Sequence, residues 1–354
     1  MKKTSKIMSL VLAGAMVLSM TACAGNTAET TSAAAKTQET AADTASKAEE
    51  TTGAEASESE TAAKAEGTTY KIGVLQLVQH TALDAANDGF IAALDDAGIA
   101  YEVDQQNASG DQSACQTVAS KFANEKKDLI LAIATPAAQA MVGAVEDTPV
   151  LITAVTDPAE SGLVDTNEKP GANVTGTSDL TPVKEQNDLL KQLVPEAKTV
   201  GVLYCSAESN SKIQADMAKE AIAAAGMESK EYTVSSSNEI QTVVQSMVGA
   251  VDAVYAPTDN VIAAGMATVG MVAGDNNLPV ICGEAGMVQN GGLATYGIDY
   301  YQLGYMTGQQ AVKILTEGAS PADMPIEYLP AEKCELTVNE ETAQTLGIDV
   351  SGLK

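Results

Sequence analysis

Two stretches end an apolar run in residues suited to binding rather than packing. "ILAIATPA" (130–137) ends in Thr135, Pro136 and Ala137, and "AVYAPTDN" (253–260) ends in Thr258, Asp259 and Asn260. A threonine and a proline at the start of a helix surround free backbone N–H groups, which together with the helix dipole suit an anion; proline there gives up no donor that the helix needs. Aspartate and asparagine after the second run supply acceptors for a cation or a donor-rich solute. The chemistry on offer is recognition of a small polar molecule.

Catalytic patterns do not accompany it. There is no GxSxG, HExxH or P-loop pattern, and no GxGxxG after a strand, so an enzyme is not expected. His80 is the only histidine, and nothing in the sequence sets it beside Cys115 or Cys205 as a dyad. No metal and no cofactor are expected, because a zinc site would need ligands at closer spacing. Cys115, Cys205, Cys282 and Cys334 lie far apart without a CxxC pair. They read as buried free thiols, with a Cys205 to Cys282 bridge as the alternative.

The net charge is −27, from 47 acidic residues against 20 basic ones, and every basic residue is lysine. Such a surface repels phosphate backbones, which argues against a nucleic-acid partner. Without arginine, an anionic ligand must be held by lysine, hydroxyls or the N–H groups of a helix start. Tryptophan is absent and only two phenylalanines occur, a poor endowment for stacking sugars.

The first residues carry an address. Lys2, Lys3 and Lys6 precede an apolar run that is too short to span a bilayer and turns small before Cys23. Residues 1–22 read as an export signal. Met20-Thr21-Ala22-Cys23 resembles a bacterial lipobox, which would make Cys23 the lipidated N-terminus; the alternative is an ordinary signal peptide with a chance cysteine. The tether assigned to 23–68 is almost wholly Ala, Thr, Ser, Glu and Lys, a composition that buries no core and serves as a flexible link.

From Tyr70 onward short β-rich runs alternate with Ala-rich helical stretches, the pattern of parallel sheets covered by helices. The order then repeats. "YKIGVLQLV" returns as "KTVGVLYCS", "DLILAIATPAAQAM" as "DAVYAPTDNVIAAGM", and "PVLITAVTD" as "PVICGEAG". Gly73 and Gly201, Asp128 and Asp252, and Pro149 and Pro279 recur at nearly one spacing. The expected fold class is therefore α/β, with two doubly wound parallel-sheet lobes: residues 70–179 plus 297–319, and 180–296 plus 320–354. Crossovers are expected at 171–182, 291–300 and 318–328, where turn residues cluster. Ligands of open parallel sheets sit beyond the carboxyl ends of the strands, so facing lobes would put both opening phrases on one cleft.

Those phrases, together with "GVLQLVQHTALDAA", "TAVTDP", "NVTGTSDLTP" and "ATYGIDYYQLGY", resemble the ABC-transporter substrate-binding lipoproteins that include tryptophan- and tyrosine-binding members. The resemblance covers about residues 70–350. It implies the type I periplasmic-binding-protein fold, with two lobes and three crossovers. It also implies capture of a small solute outside the cell membrane by a lipid-anchored monomer, and delivery to an ABC permease.

For a zwitterionic amino acid, the carboxylate would meet Thr135, Pro136 and Ala137 at the helix start, although Thr135 could equally be a plain N-cap. The ammonium would meet carboxylates among Asp157, Asp259, Glu284 and Asp299, each of which could instead shape a turn. Thr258, Asn260, Ser209 and Asn210 would complete the polar lining, and His80 would contact the ligand. Of Tyr204, Tyr255, Tyr296, Tyr300 and Tyr301, Tyr204 is singled out as a ring to stack on an aromatic ligand. Cys205 stands where a polar residue is expected and would alter one wall. A nucleoside, a short peptide, or an adhesin or scaffold role are the competing readings.

Overall fold

The computed structural model describes residues 67–353. The export signal, Cys23 and the tether as far as residue 66 lie outside the described residues. In the first half β1 (Tyr70–Gln76), α1 (Thr81–Asp96), β2 (Tyr101–Asn107), α2 (Gln112–Glu125), β3 (Leu129–Ile133), α3 (Thr135–Val142), β4 (Val150–Val155) and β5 (Val174–Ser178) follow one another. The second half continues with α4 (Val183–Leu193), β6 (Thr199–Cys205), α5 (Ser209–Ala224), β7 (Glu228–Val234), α6 (Ile240–Met247), β8 (Ala253–Ala256), α7 (Asn260–Ala264), α8 (Met266–Asp275), β9 (Val280–Cys282), α9 (Ala285–Gln289) and β10 (Ala294–Gly297). The chain then adds α10 (Tyr300–Glu317), β11 (Glu327–Tyr328), β12 (Glu335–Val338) and α11 (Glu340–Leu346).

The strands form two six-stranded sheets with one winding. Their orders are β11-β5-β4-β3-β1-β2 and β12-β10-β9-β8-β6-β7. Every pairing is parallel except that of β10 with the antiparallel β12. Strands β3 ("LILAI") and β4 ("VLITAV") are buried at every position, as strands covered by helices on both faces must be. The edge strands β2 and β7 are mostly polar and partly exposed, which discourages further pairing.

The sequence repeats correspond to repeated structural tasks. Asp128 accepts the N–H of Lys71, while Asp252 accepts those of Lys198 and Thr199, so each carboxylate anchors the start of its lobe's first strand. The carbonyls of Pro149 and Pro279 accept from Ile130 and Val254, setting the register of β4 and β9. Gly73 and Gly201 lack a Cβ where one would press on Phe122 or on Met247, so α2 and α6 can lie close over β1 and β6.

Helix α10 returns to the first lobe. Tyr70 donates to the carbonyl of Leu315, Tyr305 donates to Asp96, and the hydroxyls of Thr177 and Thr307 meet at 2.8 Å. The crossing before it runs through Ile298 and Asp299, because residues 294–297 of the expected crossover form β10 in the second sheet.

The last crossing falls later than the sequence suggests. Residues 320–328, assigned above to the second lobe, stay with the first: Thr175 donates to the carbonyl of Met324, Ile326 is buried in the first lobe's core, and Glu327 and Tyr328 pair with β5. The reason is the open edge of β5, which β11 covers. The chain crosses only between Tyr328 and Glu335, where β12 joins β10.

Candidate functional site

The carboxyl ends of both sheets converge on one enclosed cavity. The first lobe contributes His80 and Leu83 from the start of α1, Ala154 from β4, Asp179 after β5 and Tyr300 at the start of α10. The second contributes Asn210 on α5, Thr258 and Asp259 after β8, Asn260 and Ala263 on α7, and Glu284 after β9. The space is small, about one water molecule's worth. A larger solute therefore needs the lobes to part.

Local backbone geometry shapes the wall at Ala154. The register between β4 and β5 shifts between Ile152 and Val155, and Ala154 takes φ 54 inside this bulge. Gly176 on β5 makes room for it, since a Cβ there would overlap the carbonyl of Ile152. Beside it, Ala134 takes φ 82 ahead of α3, and its N–H bonds the carbonyl of Thr153.

The lobes touch through direct hydrogen bonds. Gln214 Nε2 donates to Thr156 Oγ1 at 2.9 Å, Gln139 Nε2 to Ser209 Oγ at 3.3 Å, and Gln112 Nε2 to the carbonyl of Ala207 at 3.2 Å. His80 Nε2 lies 3.3 Å from Asn260 Oδ1.

Carboxylates dominate the cavity's electrostatics. Asp179 is pushed up to about 6 by burial, against the pull of hydrogen bonds from Tyr300 and Thr156. Burial pushes Glu284 up to about 7, although it accepts from the N–H groups of Gly286 and Met287. Glu208, just behind Asn210 and Asn260, rises to about 8 through burial and the charge of Asp259. Asp259 is itself raised by burial, while the N–H groups of Cys205 and Ile262 favour its charged form. No lysine lines this cavity. A site with this charge is complementary to a cationic group.

Residues 71–352 match the family model described as ABC transporter substrate binding protein. The chain belongs to that family. It is 41% identical over 352 residues to a tyrosine-binding protein of Clostridioides difficile, covering 98% of this chain and 93% of the relative. Among solved structures, an ABC domain from Streptococcus pneumonia in complex with L-Trp is 39% identical, with a TM-score of 0.78 over 80% of this chain and 97% of that one. A ligand-free, open substrate binding protein with adhesive properties from Clostridium difficile is 46% identical, with a TM-score of 0.62 over 81% and 97%. The higher structural agreement goes with the lower identity and the bound ligand, in keeping with the bonds that hold these lobes closed. The protein is thus a substrate-binding protein of an ABC transporter, with a type I periplasmic-binding-protein fold.

In this substrate-binding protein His80, Asn210, Thr258, Asp259, Asn260 and Glu284 all line the cavity. Asp259 and Glu284 also cap α7 and α9, so turn-making and cavity-lining coincide in them. Thr135 is the first residue of α3 rather than its cap, and its buried hydroxyl has no partner. Pro136 and Ala137 follow it, buried; none of the three borders the closed cavity itself.

Asp157, Ser209, Asp299, Tyr204 and Cys205 do not reach the cavity either. Asp157 accepts from the N–H groups of Ala159 and Glu160 and from Asn167, closing a turn, and faces an outer cleft that it shares with Ser209. Asp299 is exposed and caps α10. Tyr204 donates to Glu231 on the edge strand β7 and packs in the second lobe's core. Cys205 turns its side chain into a core cluster and only its N–H toward Asp259, so it alters no wall. Cys115, Cys205, Cys282 and Cys334 are all free thiols, and the first three are buried.

The sequence reading passed over Asp179, Glu208, Gln214 and the placement of Tyr300. Asp179 ends the strand phrase "TGTSD", the same strand-end signal that marks Thr135 and Asp259, in a stretch that reads as a crossover and carries part of the family resemblance without pointing to this carboxylate. Glu208 directly precedes the chosen pair Ser209 and Asn210.

Proposed function

We propose that this substrate-binding protein captures an L-amino acid with an aromatic side chain between its lobes and presents it, unchanged, to an ABC permease. The observation that carries the reading is the buried group of Asp179, Glu284 and Tyr300. Two acids held largely out of water, with no cation beside them among the described residues, form a receptor for an ammonium group. The carboxylate falls to Thr135, whose hydroxyl is unpaired, and to the N–H groups of Thr135 and Ala137, which lie outside the helical ladder of α3. The ligands named for the tyrosine-binding relative and the L-Trp complex support the aromatic side chain.

The protein acts outside the cell membrane, as binding proteins of ABC importers do. Its lipid anchor at Cys23, its tether and its monomeric state are parts of the same proposal, supported by the sequence alone. Changing Cys23→Ser should release the protein from the membrane fraction; retention would count against the anchor.

A thermal-shift panel tests the ligand class. A ligand at one hundred times its dissociation constant stabilises the folded form by about 2.7 kcal/mol, so tyrosine or tryptophan should raise the melting temperature clearly. A shift with a purine nucleoside and none with aromatic amino acids would refute the proposal.

A further inference from the structure

We propose that His80 and Asn210 make the cavity selective for aromatic amino acids whose ring carries a hydrogen-bond donor, the hydroxyl of tyrosine or the indole N–H of tryptophan, over phenylalanine. This rests on the aromatic amino-acid reading above.

Asn260 Nδ2 donates to Glu208 Oε2 at 2.6 Å, which fixes the amide and turns its Oδ1 toward His80 Nε2. His80 Nε2 therefore carries the proton. In a neutral imidazole the other nitrogen is then an acceptor. Burial lowers the pKa of His80, which keeps the ring neutral at physiological pH. Its Nδ1 is buried without a partner.

Asn210 reaches the same condition independently. Its Nδ2 lies within bonding distance of Glu208 Oε2, Ser211 Oγ and the carbonyl of Thr258, at 3.2, 3.3 and 3.4 Å. That leaves Oδ1 as the free end, also buried without a partner. Two side chains that line one cavity from opposite lobes thus each hold a buried, unsatisfied acceptor, a costly arrangement unless a donor arrives.

The donor expected there is on the ring. Asp179 and Glu284 line the same cavity, and the charge of Asp179 raises the cost of ionising Glu284, so the pair draws the ammonium to its own end. Of the carboxylates around His80 and Asn210, Glu208 is engaged by Asn210 and Asn260, Asp259 by backbone N–H groups, and Asp84 by Gln76. Leu83 and Ala263 also line the cavity, one from each lobe, and Leu83 lies one helical turn after His80. A flat ring can pass between the two and end on the acceptors.

Calorimetric titration of the wild type, His80→Phe and Asn210→Leu with L-tyrosine, L-tryptophan and L-phenylalanine tests this. A site built for a donor rejects the analogue lacking one, so phenylalanine should bind the wild type on the order of 100-fold more weakly than tyrosine. Both variants should shrink that ratio at least about ten-fold. A merely structural role would weaken every ligand alike and leave the ratio unchanged, which would overturn the proposal, as would near-equal wild-type affinities for tyrosine and phenylalanine. If none of the three amino acids binds the wild type, the aromatic amino-acid reading itself fails and this inference with it. Because the chain has a single histidine, its imidazole ¹⁵N signals give a second readout. Tyrosine should shift Nδ1 and phenylalanine should not; equal responses would count against the assignment.

Discussion

The hydroxyl of Tyr300 donates to the carboxylate of Asp179 at 2.8 Å, joining the residue that follows β5 to the one that opens α10. Asp179 stands where the chain first leaves the first lobe, and Tyr300 where it comes back. The bond therefore ties two crossovers together at the wall of the cavity. A ligand ammonium bound there would lie against two of the segments that join the lobes.

Asp179→Asn keeps an acceptor for Tyr300 and removes the charge. Loss of one partner of a buried ionic contact costs about 2–5 kcal/mol of binding, so affinity for an aromatic amino acid should fall by roughly 30-fold or more. The ligand-free variant should melt at the same temperature as the wild type or higher, because an uncompensated buried carboxylate is gone. Unchanged affinity by calorimetry would remove Asp179 from the ammonium site.

Proton linkage has a definite sign. Asp179, Glu284 and Glu208 are raised to about 6, about 7 and about 8 by burial. A carboxyl whose folded pKa exceeds its unfolded one contributes stability that is fully present below the unfolded value and is lost as the pH rises through the folded value. The ligand-free melting temperature should thus decline from about pH 4 to pH 8. An ammonium beside Asp179 and Glu284 pulls both back down, so binding at pH 7 should release protons. Titration in buffers of different ionisation enthalpy measures this; proton uptake would contradict it.

Gly176→Ala should destabilise the first lobe by about 3 kcal/mol or more, since the new methyl overlaps the carbonyl of Ile152 and the backbone there is at φ 151. The same change disturbs the bulge that presents Ala154 to the cavity. Thermal melts and affinity should fall together, and a variant as stable as the wild type would show that the bulge relaxes without cost.

Gln214 bridges the lobes. Its Nε2 reaches Thr156 Oγ1 in the first lobe, while the hydroxyl and carbonyl of Thr258 lie beside it in the second. Gln214→Leu removes these buried bonds at nearly constant volume and should weaken ligand binding about ten-fold. Solution scattering with saturating ligand should then show a larger radius of gyration than for the wild type; an identical radius would indicate that closure does not depend on this residue.

The architecture was open to sequence reading because it is written twice. Asp128 and Asp252, like Pro149 and Pro279, do the same work in each lobe, and local pattern reports such repeated tasks well. The end of the first lobe was hidden, because β11 is two residues long and its pairing with β5 is decided by an open edge far away in sequence. At the site, strand ends gave Asp259, Asn260 and Glu284, whereas Asp157 looks the same in sequence and spends its oxygen on a turn. Whether an aspartate after a strand faces the cavity or its own loop depends on the bulge in β4 and on the return of α10, and neither is a local property.

The placement of the ammonium is tested most directly by a crystal structure of the complex with L-tyrosine. The expected result puts the ligand nitrogen within hydrogen-bond distance of Asp179 or Glu284, with its carboxylate at Thr135. A ligand whose nitrogen touches neither Asp179 nor Glu284, or one with its carboxylate toward Asp179, would contradict it.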